Sequence, residues 1–353
     1  MKIGFFFWPY TPALCETMAR YADDYRYDMI GVADTPGNAM DPWVAAALVA
    51  RLNKTADISI CVTNFVTRHA SVSAAAIASL EQLAPGRTVL GVGAGHSGTK
   101  NIGARNSTVQ SMVEGVELCK TVVQGRPFDT GHGSVLVPWA KSPSRIFMAS
   151  SHPKGLEAAG RVADGVIVNY GLHADNVRES EAAIRRGVDA SGRAPDKVPI
   201  WQVAGMDCTP DGDDARRKSA AVLPFAAGYI VGDKDPATRG VPEPYREGLI
   251  ELRRRYSTRP GQQNADLLHE LGLFDYLSRR LGILGTPEDC YRQTLAAAEA
   301  GIDRLMFSVS VTVDPAEAVR LYGEQVLPRV REALGARKLK DVGRAPVERD
   351  LGL

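Results

Sequence analysis

The order of secondary structure is clearest in residues 29–92, which read MIGVADTPGNAMDPWVAAALVARLNKTADISICVTNFVTRHASVSAAAIASLEQLAPGRTVLGV. Short apolar runs, MIGVA at 29–33, ISICVT at 58–63 and TVLGV at 88–92, predict buried strands. Between them, apolar residues recur at helical spacing over 42–52 and 72–83, which predicts two helices. Strands joined by crossover helices pair in parallel, so this stretch predicts an α/β fold.

The same strand–helix unit recurs along the rest of the chain. Further strands are predicted at 3–7, 146–149, 165–169, 199–204 and 304–309, helices over 14–25, 107–124, 154–161 and 177–190, and a small hairpin over 128–137. Eight strands, each followed by a helix, predict a single (β/α)8 TIM barrel. A doubly wound sheet with a second domain is the alternative, although eight such units would be unusual for one open sheet.

The barrel is expected to occupy residues 1–335, with a long insertion between strands 7 and 8 at about 209–283. A long connection on a compact barrel is commonly a binding loop or lid. We therefore expect residues 232–272 to be the most mobile part and to close over the substrate. The last stretch, 336–353, is polar and unpatterned, which predicts a C-terminal tail.

Composition excludes several classes of protein. The 353 residues include 42 Lys and Arg against 41 Asp and Glu, so no net field attracts nucleic acid or an anionic membrane. The five cysteines form no CxxC pair, the histidines are scattered, and no metal site is expected. The N-terminal residues lack signal-peptide features, and no apolar run reaches membrane-spanning length, so we expect a cytoplasmic protein.

Candidate site residues follow the predicted strands, because a barrel of this kind has its active site at the carboxyl ends of the strands. They are Asp34, Asn64, His69, Gly93, Gly95, His96, Ser150, Ser151 and Asn169. The glycine-rich exit GVGAGHSG at 91–98 allows a planar ligand to approach the backbone, or it forms a tight turn that needs positive φ. Aromatic residues at 6–10 suit a flat apolar ligand or simple core packing.

The run ASSHPKG at 149–155 suggests a phosphate site. Ser150 and Ser151 leave a strand and Gly155 opens a helix, so hydroxyl groups and free backbone amides face an anion. The alternative is that Ser151 only caps the helix. The sequence contains neither a GxSxG motif nor a convincing Cys–His pair, so a covalent nucleophile is not indicated. These residues therefore favour a site in which a cofactor performs the difficult chemical step.

Three long segments together resemble the bacterial luciferase-like superfamily of flavin- and F420-dependent oxidoreductases. They are residues 33–95, residues 143–169 (PSRIFMASSHPKGLEAAGRVADGVIVN) and residues 284–307 (LGTPEDCYRQTLAAAEAGIDRLMF), which match in order and spacing. Within the superfamily, VTNFVTRHA and GVGAGHSGTKNIGARN are most similar to the branch named after methylenetetrahydromethanopterin reductase, which uses the deazaflavin F420. Two departures from that branch are Asp34-Thr35 in place of Asp-His, and the aromatic residues 5–8 in place of an acidic residue.

The resemblance implies a place for each part of the cofactor. The flavin ring would lie against Cys61, Val62, Asn64 and Gly93, with a non-prolyl cis peptide between Cys61 and Val62. The phosphate would lie near Ser150, Ser151 and Gly155, with Gly95 and Asn169 also in the cofactor site. The catalytic candidates are then His69, His96 and Asp34. The resemblance also implies a homodimer.

Three functions are compatible with this resemblance. The leading expectation is a two-component monooxygenase that uses reduced FMN, supplied by a separate flavin reductase, and O2 to oxidise a small organic substrate. The alternative is an F420-dependent reductase or dehydrogenase that transfers hydride on the same scaffold. A non-catalytic flavin-binding relative is the third.

Overall fold

The computed structural model describes residues 1–140, 144–194, 198–210, 212, 222–224, 226–227, 235–256 and 265–342. The strands are β1 Lys2–Phe7, β2 Met29–Val32, β3 Asp57–Thr63, β4 Thr88–Val92, β5 Phe128–Asp129, β6 Ser134–Val135, β7 Arg145–Ser150, β8 Gly165–Val168, β9 Ile200–Cys208, β10 Gly282–Gly285 and β11 Arg304–Ser308. Each predicted strand is found within a few residues of its expected place, and β5 and β6 form the predicted hairpin.

The helices alternate with the barrel strands. They are α1 Pro12–Asp24, α2 Pro42–Leu52, α3 Ala70–Leu83, α4 His96–Lys100, α5 Val109–Val122, α6 Pro153–Val162, α7 Ala174–Ala190, α8 Arg246–Arg255, α9 Ala265–Glu270, α10 Phe274–Leu281, α11 Pro287–Glu299, α12 Pro315–Leu321 and α13 Leu327–Val342. A π-helical turn, Tyr322–Val326, joins α12 to α13.

Eight of the strands close into a parallel barrel. Their order is β1, β2, β3, β4, β7, β8, β9 and β11, and β11 pairs back onto β1 with Phe5 opposite Phe307. The pairing of β8 with β9 joins the two halves. The closed ring confirms the TIM barrel, and the doubly wound alternative is wrong. All eight carboxyl ends lie at one end of the barrel.

Strand side chains fill the barrel interior. Met29, Val89, Phe147, Trp201 and Met306 belong to one buried cluster drawn from the barrel strands. A larger cluster joins the outer faces of the strands to the surrounding helices. This division between inward and outward side chains follows from the two-residue repeat of a strand.

Local signals explain why the helices start where they do. Asp41 accepts hydrogen bonds from the backbone N–H groups of Trp43 at 2.9 Å and Val44 at 3.2 Å, and Pro42 takes the first helical position. Such a cap and a proline at this position favour helix initiation. This explains why α2 has the bounds that the sequence predicts.

The segment between β9 and β11 contains β10 and α8–α10, with 3₁₀ helices at Pro236–Arg239 and Glu243–Tyr245. Leu249 of α8, Leu268 of α9 and Leu277 of α10 belong to an apolar cluster of its own. Parts of the predicted lid, 232–234 and 257–264, lie outside the described residues. Its closure over substrate stays a prediction.

The C-terminal segment differs from the expected tail. Helix α13 continues through residue 336 to Val342, and residues 343–353 lie outside the described part of the chain. Among the described helices, none has both the length and the apolar character needed to cross a bilayer.

Candidate active site

A cavity of about 220 Å³ opens at the carboxyl end of the barrel. Its walls come from residues that lie within or just after seven of the barrel strands, and from α5. They include Phe6, Trp8, Asp34, Cys61, Val62, Gly93, Gly95, His96, Met112, Ser150, Ser151, His152, Asn169 and Val203. Nine of the twelve residues proposed from the sequence therefore meet in one cavity.

One wall is formed by backbone from β3 and β4. The peptide bond between Cys61 and Val62 is cis, as predicted. A Cβ at position 93 would lie 2.8 Å from Val62 Cγ2, so glycine is needed for this close approach. Burial raises the pKa of the Cys61 thiol to about 12, which keeps it protonated at neutral pH. Cys61 thus contributes surface rather than a thiolate nucleophile.

Asp34 lies at the end of β2, where Thr63 holds its carboxylate. Thr63 Oγ1 donates a hydrogen bond to Asp34 Oδ2 at 2.6 Å. Burial raises the pKa of Asp34 above its ordinary value, and the Thr63 hydrogen bond partly opposes this. Asp41 also raises the pKa and Arg68 lowers it, each by a smaller amount. The cavity therefore contains an oriented carboxyl group with increased proton affinity.

Gly95 and His96 follow β4. Gly95 has φ of 98° and immediately precedes α4, and a Cβ there would lie 2.5 Å from Thr99 Cγ2. The tight turn expected as one alternative for the glycine-rich segment is thus present at Gly95. Close approach to the cavity occurs instead at Gly93. The turn places His96 at the start of α4, where it lines the cavity.

The structure does not bring Asn64 to the cavity wall. Asn64 is buried, and its Oδ1 accepts hydrogen bonds from the backbone N–H groups of Val66 at 3.0 Å and Thr67 at 2.9 Å. A Cβ at Gly95 would lie 3.1 Å from Asn64 Cβ. Asn64 therefore has a turn-forming role, because local backbone amides use its oxygen. Its contact with the cofactor ring stays a prediction.

His69 is also outside the cavity. It is exposed and precedes α3, where its Nδ1 accepts from the Ser71 N–H at 3.2 Å. After the turn at Asn64 the chain runs outward, so this imidazole caps a helix instead of approaching the ring position. We therefore withdraw His69 as a catalytic candidate.

The loop from β7 to α6 has the composition expected of an anion site, but its geometry differs from the expectation. Helix α6 starts at Pro153, and its N-cap residue is His152, which makes no side-chain capping hydrogen bond. The alternative that Ser151 caps the helix is therefore wrong. Ser150 Oγ instead accepts from the His152 N–H at 3.2 Å. Among the described residues, the first amides of α6 thus receive no cap from the side chain of the N-cap residue.

Gly155 lies behind the loop rather than on the cavity wall. A Cβ at position 155 would lie 2.3 Å from Ser150 Oγ, so glycine allows the serine to pack against the helix. Asn169 lines the cavity, and its N–H donates to the Ser150 carbonyl oxygen at 3.2 Å. Gly155 supports the position of Ser150. Contact of its backbone amide with a phosphate stays a prediction.

Two arginines near this loop were missed from the sequence. Arg239 follows the poorly patterned part of the insertion, and Arg280 lies in α10. Both are buried, and Arg239 contacts the β7–α6 loop. Neither belongs to a motif, so only the folded structure identifies them.

A closed parallel barrel with a mostly apolar cavity at its carboxyl end is the arrangement expected of a TIM-barrel enzyme. The family model described as luciferase-like monooxygenase matches residues 11–304. The chain belongs to this bacterial luciferase-like family of oxidoreductases, as its sequence motifs predicted. Its named relatives are enzymes, which disfavours the non-catalytic alternative.

Two reductases and one monooxygenase constituent illustrate the likeness. The 5,10-methylenetetrahydromethanopterin reductase of Methanolobus tindarius is 25% identical over 340 residues, covering 93% of this chain and 100% of the relative. The coenzyme F420 dependent tetrahydromethanopterin reductase structure from Methanopyrus kandleri aligns with a TM-score of 0.76 at 19% identity, covering 93% of this chain and 99% of that one. The FMN complex of the oxygenating constituent of 3,6-diketocamphane monooxygenase from Pseudomonas putida aligns with a TM-score of 0.61 at 17% identity, covering 94% and 99%. At these identities, the structural likenesses show the shared fold alone.

Proposed function

We propose that this chain is an F420-dependent oxidoreductase that transfers a hydride between the deazaflavin and an oxidised carbon or imine of a small organic substrate. The observation that carries the proposal is the end-to-end similarity to the methylenetetrahydromethanopterin reductases. The F420-dependent reductase structure is also more similar in fold than the FMN monooxygenase structure, with TM-scores of 0.76 and 0.61.

The two-component FMN monooxygenase expected first becomes the second candidate. The camphane monooxygenase likeness favours it, as does the aromatic wall of Phe6 and Trp8. A separate flavin reductase is a partner only under this second candidate, because only the monooxygenase reaction needs a supply of reduced FMN.

The residues present fit a phosphate-bearing flavin or deazaflavin. The ring would be held against Cys61, Val62 and Gly93, where the close backbone approach leaves a flat surface. The phosphate would be held by Ser150, Ser151 and the uncapped amides of α6. When bound, F420 donates or accepts the hydride through its ring.

We assign proton handling to Asp34 and His96. Both line the cavity, and burial raises the pKa of Asp34 toward the range in which a carboxyl group can carry a proton. The Thr63 hydrogen bond fixes the orientation of the carboxylate. A positioned acid or base contributes typically about 10²–10⁴-fold to the rate.

The remaining walls of the cavity are mostly apolar. Phe6, Trp8, Met112 and Val203 supply apolar surface beside the polar groups. A mostly apolar cavity with a few convergent polar groups is typical of a small-molecule site. Its low polarity strengthens the electrostatic influence of Asp34 and His96 on a bound substrate.

The test is a binding titration of purified protein under nitrogen with F420, oxidised FMN and reduced FMN, followed by absorbance and fluorescence. The proposal expects F420 to bind at least about tenfold more tightly than either form of FMN, a difference of about 1.4 kcal/mol. Tighter binding of reduced FMN would favour the monooxygenase instead.

The homodimer is also a proposal. Exposed apolar side chains occur on α2 and α3, including Val44 at 57% and Val72 at 48% exposure. Exposed apolar surface of this kind is commonly covered by a partner. Light scattering should give twice the chain mass of 38.0 kDa. A single-chain mass at micromolar concentration would contradict the dimer.

A further inference from the structure

Arg239 reaches the β7–α6 loop from the insertion, far along the chain. Its Nη1 donates to the carbonyl oxygen of Ser151 at 3.1 Å, and its Nη2 lies 3.3 Å from His152 Nε2. A guanidinium has no acceptor, so His152 Nε2 accepts this hydrogen bond and the proton of the neutral imidazole is on Nδ1. Ser151 and His152 both line the cavity. Arg239 therefore lies directly behind the candidate anion site.

A second arginine holds Arg239 in place. Arg280 Nη2 donates to the Arg239 carbonyl oxygen at 2.6 Å, and Arg280 Nη1 donates to the Gly240 carbonyl oxygen at 3.1 Å. Arg280 also bonds the Tyr276 hydroxyl at 2.6 Å and the Tyr170 carbonyl oxygen at 3.3 Å. Arg280 is thus a positioning residue for the backbone that carries Arg239.

These guanidinium groups are buried without a counter-charge in the described part of the chain. Arg239 is 3% exposed and Arg280 is 2% exposed. Within the described residues their hydrogen-bond partners are neutral, and the Nε atom of each has none. Burial lowers the pKa of Arg239, opposed by the Tyr170 hydroxyl. A buried cation without a counter-ion is costly, so this arrangement favours a bound anion.

The start of α6 adds positive potential at the same place. Its ten residues align their peptide dipoles toward the loop, and the N-cap residue, His152, makes no side-chain capping hydrogen bond in the described part of the chain. Two positive groups, the helix terminus and Arg239, therefore meet behind Ser151. The helix terminus and the Arg239 guanidinium repel each other unless a negative group lies between or beside them.

We propose that Arg239 supplies the buried counter-charge for the phosphate of the bound cofactor, so that cofactor binding fixes the insertion against the β7–α6 loop. The inference rests on the proposed function for the identity of the cofactor. It adds a residue from the insertion to the phosphate-binding groups. Under this proposal, a segment remote in sequence responds to the presence of the cofactor.

The test compares ligands that differ only in the phosphate-bearing tail. Binding of F420 and of its phosphate-free deazaflavin core is measured for wild type, Arg239→Gln and Arg239→Lys. Arg254→Gln is the control, because Arg254 also lies in the insertion but makes an exposed ion pair with Glu251. We expect Arg239→Gln to weaken F420 binding by at least about tenfold and core binding by less than about twofold. Arg239→Lys should lose less, and the control should bind as wild type does.

Equal weakening of both ligands by Arg239→Gln, or of neither, would overturn the proposal. FMN and riboflavin are a second pair of ligands that differ in the presence of a phosphate. If wild type binds FMN but not F420, the proposed function fails, whereas the FMN and riboflavin pair still tests Arg239.

A measurement on the wild-type protein covers the case in which the Gln variant does not fold. Hydrogen exchange of residues 236–256 should slow with F420 and remain unchanged with the phosphate-free core. Equal protection by both ligands would contradict the proposed role of Arg239.

Discussion

The position of α6 depends on a close backbone contact with α7, and Gly187→Ala tests it. A Cβ at position 187 would lie 1.8 Å from the Glu157 carbonyl oxygen and 2.9 Å from the Arg161 nitrogen. Both atoms belong to the backbone of α6, so no side chain can move aside to make room. The substitution must therefore push the two helices apart.

Two opposing effects set the size of the change. Alanine is favoured over glycine inside a helix by about 1 kcal/mol. Overpacking a tight contact costs about 1–3 kcal/mol, and a backbone clash belongs at the upper end of this range. We expect Gly187→Ala to lower the free energy of unfolding by about 2 kcal/mol. Because α6 begins at the candidate anion site, the same shift should weaken cofactor binding.

The assay is urea unfolding followed by circular dichroism, with Gly335→Ala as the matched control. Gly335 also lies in a helix, α13, but a Cβ there has no atom within 4 Å. The Gly335→Ala variant should gain about 0.5–1 kcal/mol in free energy of unfolding, because alanine has the higher helix propensity. If Gly187→Ala is as stable as Gly335→Ala, the backbone contact is not tight, and the placement of α6 used for the anion site is refuted.

Four further substitutions test individual side chains in and around the site. Ser151→Asp should abolish binding of F420 while leaving its phosphate-free core bound, because a carboxylate would repel the phosphate. Unchanged F420 affinity in a titration would mean that the phosphate does not bind at this loop. Thr63→Val should raise the pKa of Asp34 further, because the hydrogen bond that favours the carboxylate is lost. The limb of the pH–rate profile that reports Asp34 should then move to higher pH. An unmoved limb would mean that Asp34 does not titrate in catalysis. His69→Ala should lower the free energy of unfolding by about 0.5–1 kcal/mol without changing turnover, because a helix cap is lost. His96→Ala should lower turnover about 10²-fold or more without changing stability, because a proton-transfer group is lost. The reverse pattern in unfolding and steady-state assays would restore His69 as the acid.

The sequence could predict the barrel because each part of the pattern has a local cause. Apolar runs such as those at β3 and β4 specify strands, and the capped start of α2 specifies a helix. The barrel end at which the site lies follows from strand direction alone. This is why Asp34 and Ser150 could be proposed for the cavity before the structure was known.

The directions of individual side chains after a strand could not be predicted in the same way. Asn64 and His69 follow β3 as Asp34 follows β2, yet a turn built on the Asn64 oxygen directs the chain outward. Such a turn depends on hydrogen bonds between neighbours, which residue type does not specify uniquely. Arg239 was missed for another reason, because its partners are 88 and 87 residues away in the chain.

The most direct test of hydride transfer by F420 is a comparison of turnover with and without oxygen. Reduced F420, oxidised F420 and reduced FMN are each mixed with the protein and a panel of imines, ketones and secondary alcohols, under nitrogen and in air. The absorbance of the cofactor is followed while products are identified. The account predicts substrate-dependent change of F420 absorbance at the same rate in both atmospheres. Product that forms only with reduced FMN and O2 would contradict it.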